Sequence, residues 1–135
     1  MAARKNQGGQ GNGEPLRGLR CLVLDNEVLI VMDLEDILRS AGASDVACFG
    51  RAADALAAIA AGPPFAVAII DFDLGGEDGM AVPFALQERG IPFIFFTGLH
   101  QNDARLRQFA DAPVVNKPYD IDELLAALRR ALRKH

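Results

Sequence analysis

The sequence predicts an α/β fold, a doubly wound five-stranded parallel sheet in the order 2-1-3-4-5. Three observations predict it. Five short apolar runs alternate with segments whose apolar residues recur at helical spacing. The runs are continuously apolar, as strands buried on both faces are, rather than alternating as in a half-solvated sheet. Four of them also end on a polar group, Asp25-Asn26, Asp71, Thr97 and Lys117, where parallel strands would finish along one edge.

The elements follow in order. "LRCLVLD" (19–25) is the first strand. From Val28 to Ala41, Ile30, Leu34, Ile37, Leu38 and Ala41 form a helical stripe, and Gly42 stands where a C-terminal cap belongs. "SDVACFG" (44–50) is the second strand, and "RAADALAAIAAG" (51–62) is an Ala-rich helix stopped by Gly62 and Pro63-Pro64. "FAVAIID" is the third strand, and residues 80–89 form a modest helix closed by Gly90. "IPFIFFTG" (91–98) is the fourth strand, with Pro92 only at its start, where proline is tolerated. "LHQNDARLRQFA" has a weak apolar face, Leu106 and Phe109, and predicts a short, poorly anchored helix. "APVVNKP" is the fifth strand. In the last helix Asp120 and Glu123 suit a capping box, Ile121, Leu124, Leu125, Leu128 and Leu132 form the stripe, and basic residues fill the final turn.

At 135 residues, half of them apolar, the chain has the length and composition of one ordinary domain. No apolar run reaches the roughly 20 residues of a membrane span, and the basic start lacks the apolar stretch of a secretory signal. Residues 1–18 carry five of the 13 glycines and are expected to be a flexible tail, with the folded domain at 19–135. Leaving out that tail reduces 14 basic and 18 acidic residues to 11 and 17, so the domain is more acidic than the chain. Neither nucleic acid nor a membrane is an expected partner for that surface, and a cytoplasmic location is expected. Cys21 and Cys48 are expected to be reduced, buried thiols. His100 and His135 stand apart and form no transition-metal pattern.

A strand that ends on a buried carboxylate pays a desolvation cost unless a partner or a metal offsets it. In "CLVLDNE", "AIIDFDLGGEDG", "FIFFTG" and "VVNKP" the chain resembles the receiver domains of two-component response regulators, over about residues 19 to 134, and hence their flavodoxin-like fold. That resemblance implies a function. Asp71 would be the phosphoacceptor, taking a phosphoryl group from a sensor histidine kinase or phosphotransfer protein. Asp25 and Asn26 would hold Mg²⁺, with Asp71, the backbone carbonyl of Asp73 and Glu27 as further candidates. Thr97 would donate to the phosphoryl oxygen, and Lys117 would pair first with Asp71 and then with the phosphate. A cis peptide bond between Lys117 and Pro118 is also implied. With no output segment expected after the last helix, signalling would pass to an unknown downstream protein, most readily through residues 99–134.

Three features depart from the common receiver pattern. Asn26 replaces an acid that usually ligates the metal, so one full charge is missing. Val114, three before Lys117, replaces the usual aromatic switch. The fourth helical segment is polar, and "FADAP" precedes the fifth strand. "FFTG" with "NKPY" is similar to a divergent set of stand-alone receivers from alphaproteobacteria. Asp73 and Leu99, two past the acceptor and two past the threonine, match positions that tune phosphoryl lifetime. Two rival readings stay open. One is a haloacid-dehalogenase-type phosphatase, whose DxD motif "DFD" resembles but whose later acidic pair is matched only by Asp120, Asp122 and Glu123 on the last helix. The other is a degenerate receiver that binds partners without phosphorylation.

Overall fold

The computed structural model describes residues 14–74, 80–98 and 103–133. Five parallel strands, β1 (Arg20–Leu24), β2 (Asp45–Phe49), β3 (Val67–Asp71), β4 (Phe93–Thr97) and β5 (Val114–Asn116), form one sheet in the order β2-β1-β3-β4-β5. Among the described residues four α-helices flank it: α1 (Val28–Ser40), α2 (Ala52–Ala61), α3 (Ala81–Glu88) and α4 (Ile121–Arg133). The architecture is the expected one, with no described helix long and apolar enough to cross a membrane.

The sheet divides the interior into two apolar layers because successive side chains on a strand point to opposite faces. Cys21 and Val23, Val67 and Ile69, and Ile94 and Phe96 pack with Leu34, Leu38, Leu124 and Leu128 of α1 and α4. Leu22 and Leu24, Ala68 and Ile70, and Phe93 and Phe95 pack with Ala55, Ile59, Val82 and Leu86 of α2 and α3. On α4 the buried stripe is Leu124, Ala127, Leu128 and Ala131. The expected Ile121, Leu125 and Leu132 lie partly buried beside it, because small alanines take the line where the helix backbone comes nearest the sheet. Asp120 caps α4 by accepting the Asp122 N–H at 2.9 Å.

Three expectations change. Leu16, in the segment expected to be tail, is fully buried, its N–H donating to the Ala41 carbonyl at 2.9 Å and that of Gly18 to Gly42 at 3.0 Å. Residues 14–18 are thus seated on the end of α1, and residues 1–13 lie outside the described residues. A Cβ on Gly42, at φ +105°, would stand 2.8 Å from the Arg17 backbone, so this turn requires glycine.

The fourth helical segment is a 3₁₀ run, Ala104–Phe109, rather than an α-helix, with Asp103 accepting the Arg105 N–H at 2.8 Å. Three residues per turn put Leu106 and Phe109 on one line, and both are buried. Nor is its end poorly anchored. The Phe109 ring meets those of Phe84, Phe93 and Phe95 edge-on at 5.0, 5.7 and 5.7 Å. One aromatic in a ring cluster anchors more than its single place in an apolar stripe suggests. Finally, both cysteines are free thiols, but only Cys21 is buried, and Cys48 near the sheet edge is half-exposed.

Candidate functional site

In the sheet register Leu24 lies beside Ile70, so the next residues, Asp25 and Asp71, come together at the rim. One strand over, Asp71 pairs with Phe96 and Thr97 with Asn116, which brings Thr97 and Lys117 to the same edge. Strand alternation then sorts them. Asp25 follows Cys21 and Val23, Asp71 follows Val67 and Ile69, and Lys117 follows Val115, all on the α1/α4 face. Thr97 follows Phe93 and Phe95 on the α2/α3 face.

The contacts obey that sorting. Asp25 and Asp71 are only 2% and 5% exposed, and each makes the same local turn. Oδ1 of Asp25 accepts the Glu27 N–H and Oδ1 of Asp71 accepts the Asp73 N–H, both at 2.9 Å. The other oxygens face one cation: Lys117 Nζ lies 3.2 Å from Asp25 Oδ2 and 3.5 Å from Asp71 Oδ2. Exposed Glu27 joins them, its Oε1 3.5 Å from the same nitrogen. The Lys117–Pro118 peptide is cis.

Two carboxylates this close and this dry resist ionising together. Burial first, and the Asp25 charge second, push the Asp71 carboxyl up from the ordinary 3.8 to about 6, against the pull of Lys117 and the Asp73 N–H. For Lys117, burial alone would favour the neutral amine, but attraction to Asp71 and Asp25 outweighs it and raises the proton affinity.

The site fits a small divalent cation. Asp25 Oδ2 is buried with no hydrogen bond besides its 3.2 Å ion pair with Lys117, so it keeps lone pairs that a second cation would stabilise. No cluster of three His, Cys, Asp or Glu side chains that could hold a metal occurs among the described residues. Two carboxylates suit an ion such as Mg²⁺, which keeps several waters and takes phosphate oxygens as ligands.

Thr97 is fully buried, and its hydroxyl donates to Asp73 Oδ1 at 2.8 Å rather than to Asp71. The Gly98 N–H donates to Asp73 Oδ2 at 2.7 Å. Asp73 sits in a 3₁₀ turn, Phe72–Leu74, that carries the chain off β3 toward β4.

The chain matches the response regulator receiver domain over residues 21–129. It belongs to that family. Among curated proteins this receiver is 38% identical over 95 residues to the Sensor protein TorS of Escherichia coli (strain K12), covering 69% of the chain but only 10% of the sensor. Among solved structures it resembles the BeF3-activated conformation of SdrG from Pseudomonas melonis Fr1, at 38% identity, TM-score 0.70 and coverage of 85% and 98% of the two chains. It also resembles a response regulator receiver protein from Sinorhizobium medicae WSM419, at 21% identity, TM-score 0.77 and coverage of 87% and 97%, a likeness of fold alone. Receiver domains are generally signalling modules rather than enzymes. Family membership argues against the phosphatase reading, and Asp120, one of the acids it would need, is used as a helix cap.

Of the expected residues, Asp25, Asp71, Lys117 and Glu27 converge by direct contact, and Asn26 is exposed beside them. Thr97 joins through Asp73. Val114 is half-buried against the α2/α3 layer, and Leu99 and residues 75–79 lie outside the described residues. Sequence reasoning missed the carboxylate of Asp73 as a partner of Thr97, having given Asp73 a metal-ligating carbonyl and a position that tunes phosphoryl lifetime. It also missed Tyr119, whose ring stacks on Phe96 at 5.0 Å and whose hydroxyl donates to Asp33. The D-x-D spacing held the first signal, and nothing in the sequence announced the second.

Proposed function

We propose that this receiver accepts a phosphoryl group on Asp71 from the phosphohistidine of a sensor kinase or phosphotransfer protein. The observation that carries the reading is the placement of Lys117 Nζ between the buried Asp25 and Asp71 carboxylates, 3.2 and 3.5 Å away. A carboxylate that attacks an anionic phosphoryl group needs positive charge beside it to offset their repulsion. As the bond from phosphorus to the Asp71 oxygen forms, the bond to the imidazole nitrogen breaks and the imidazole leaves with its electron pair. Lys117 then stays close enough to pair with the new phosphoryl oxygens.

Asp25, Asp71, the Asn26 amide oxygen and the Asp73 carbonyl would hold Mg²⁺, with Glu27 nearby. When bound, Mg²⁺ offsets the repulsion between donor phosphoryl and acceptor. Thr97 is the hydroxyl donor on the other side. The protein acts in the cytoplasm and signals through contacts with a downstream protein. Exposed Val28, Leu29 and Met32, 70, 80 and 61% accessible on the first turns of α1, support docking of a partner beside the site.

The second reading, a receiver that binds partners without being phosphorylated, is favoured by the exposed amide at Asn26 where a carboxylate would strengthen the metal site. Intact mass spectrometry after incubation with acetyl phosphate and Mg²⁺ separates them. The acceptor reading expects a single phosphoryl adduct on the wild type and none on Asp71→Asn; an unmodified wild type leaves the binding-module reading standing.

A further inference from the structure

Among the described residues, two donors cradle the Asp73 carboxylate. A buried hydroxyl, that of Thr97, and a backbone N–H, that of Gly98, both donate to it, at 2.8 and 2.7 Å, one to each oxygen. Two donors converging on a carboxylate make an anion site by construction. This one adjoins Asp71, whose Oδ1 accepts the N–H of Asp73 itself. The cradle borders the Lys117 side chain as well as Asp71: a Cβ on Gly98 would stand 3.6 Å from Lys117 Cβ and 4.0 Å from Asp73 Oδ2.

We propose that Asp73 is an internal occupant of this cradle, which a phosphoryl group arriving on Asp71 must displace to reach Thr97 and Gly98. The proposal rests on the reading of Asp71 as acceptor and adds a positioning residue to it. An incoming anion repels the Asp73 carboxylate and needs the same two donors. The resting site therefore holds Thr97 out of reach until the phosphoryl group outcompetes a side chain two residues along. Apparent affinity falls by the fraction of molecules with the cradle free, so occupancy of nine tenths weakens the site about tenfold.

The test titrates the full chain with beryllofluoride in Mg²⁺ and follows the Thr97 and Gly98 amides by NMR. The proteins are wild type, Asp73→Ala, the isosteric Asp73→Asn, Thr97→Val, and Asp73→Ala combined with Thr97→Val. Without beryllofluoride, Asp73→Ala is expected to shift the Gly98 amide proton upfield as its short bond to a carboxylate is lost. With it, Asp73→Ala is expected to bind about tenfold more tightly, Asp73→Asn by less, and the gain is expected to shrink in the Thr97→Val background. Such coupling marks a contact rather than a general charge effect. An unmoved Gly98 amide overturns the proposal. So does a gain of equal size with and without Thr97, which assigns the effect to charge alone. Equal, measurable affinities in wild type and Asp73→Ala overturn it while leaving Asp71 as acceptor. Absence of any adduct in every protein overturns both.

Discussion

Replacing Asp71 with asparagine should make this domain more stable at neutral pH. Asparagine keeps the shape and an oxygen to accept the Asp73 N–H, which now donates to Asp71 Oδ1 at 2.9 Å, but removes a buried charge. The Asp71 carboxyl titrates at about 6 in the fold against an ordinary 3.8, first because it is buried and second because Asp25 adjoins it. A carboxyl that holds its proton more tightly folded than unfolded favours the fold at low pH, and that advantage is lost as pH rises from about 4 to about 6. At about 1.4 kcal/mol per pH unit, the wild type gives up as much as about 3 kcal/mol across that window. Asparagine does not titrate, so the variant should match wild type near pH 4 and exceed it by about 1–3 kcal/mol near pH 8. The lower end allows for Lys117, which loses one of its partners. On the order of 4 °C of melting temperature accompanies each kcal/mol in a domain of this size. Urea denaturation of both proteins at the two pH values, in chelator, measures the difference. A variant equal to or weaker than wild type near pH 8 would refute the claim that Asp71 is held ionised at a cost.

Other changes have definite expected outcomes. Phe109→Ala removes a 4%-exposed ring from a cluster with Phe84, Phe93 and Phe95 and should cost about 3–5 kcal/mol by chemical denaturation; a loss under about 1 kcal/mol would mean the 3₁₀ run is not anchored there. Asn26→Asp adds a charge at an exposed point of the rim, worth about 1 kcal/mol in near-bulk dielectric, and should tighten Mg²⁺ several-fold in a calorimetric titration; unchanged affinity would remove Asn26 from the ligand set. Gly42→Ala and Gly90→Ala both place a side chain at positive φ, but only the former meets backbone, 2.8 Å away. Gly90→Ala should cost about 1 kcal/mol and Gly42→Ala clearly more, and equal losses in thermal melts would show that the 14–18 turn yields freely.

How much of this the sequence disclosed depended on the range of the interaction. The strand order was legible because continuous apolar runs between helical periods admit few topologies, and the rim because Asp25, Asp71, Thr97 and Lys117 each stand at the end of such a run. The pairing of Lys117 with Asp71 was anticipated from the receiver resemblance, on strands that end at one rim. Contacts decided by side-chain direction were not. Thr97 reaches Asp73 because β4 alternation turns it to the α2/α3 face, a fact of register that becomes visible only once the strand bounds are fixed. Leu16 was hidden for another reason: a single leucine in a glycine-rich stretch has no period, and its burial depends on the distant turn at Gly42. The 104–109 segment was misjudged because stripe counting weighs residues equally, whereas one phenylalanine among aromatic neighbours outweighs several alanines.

The partition of the interior by the sheet has a consequence of its own. The apolar side chains packed on the Lys117 side and those packed on the Phe109 side form separate sets, and at the rim the Thr97 hydroxyl, from the second face, reaches the Asp73 carboxylate. A change at the ionic rim can therefore reach the other layer through the Thr97–Asp73 hydrogen bond with neither hydrophobic layer having to melt.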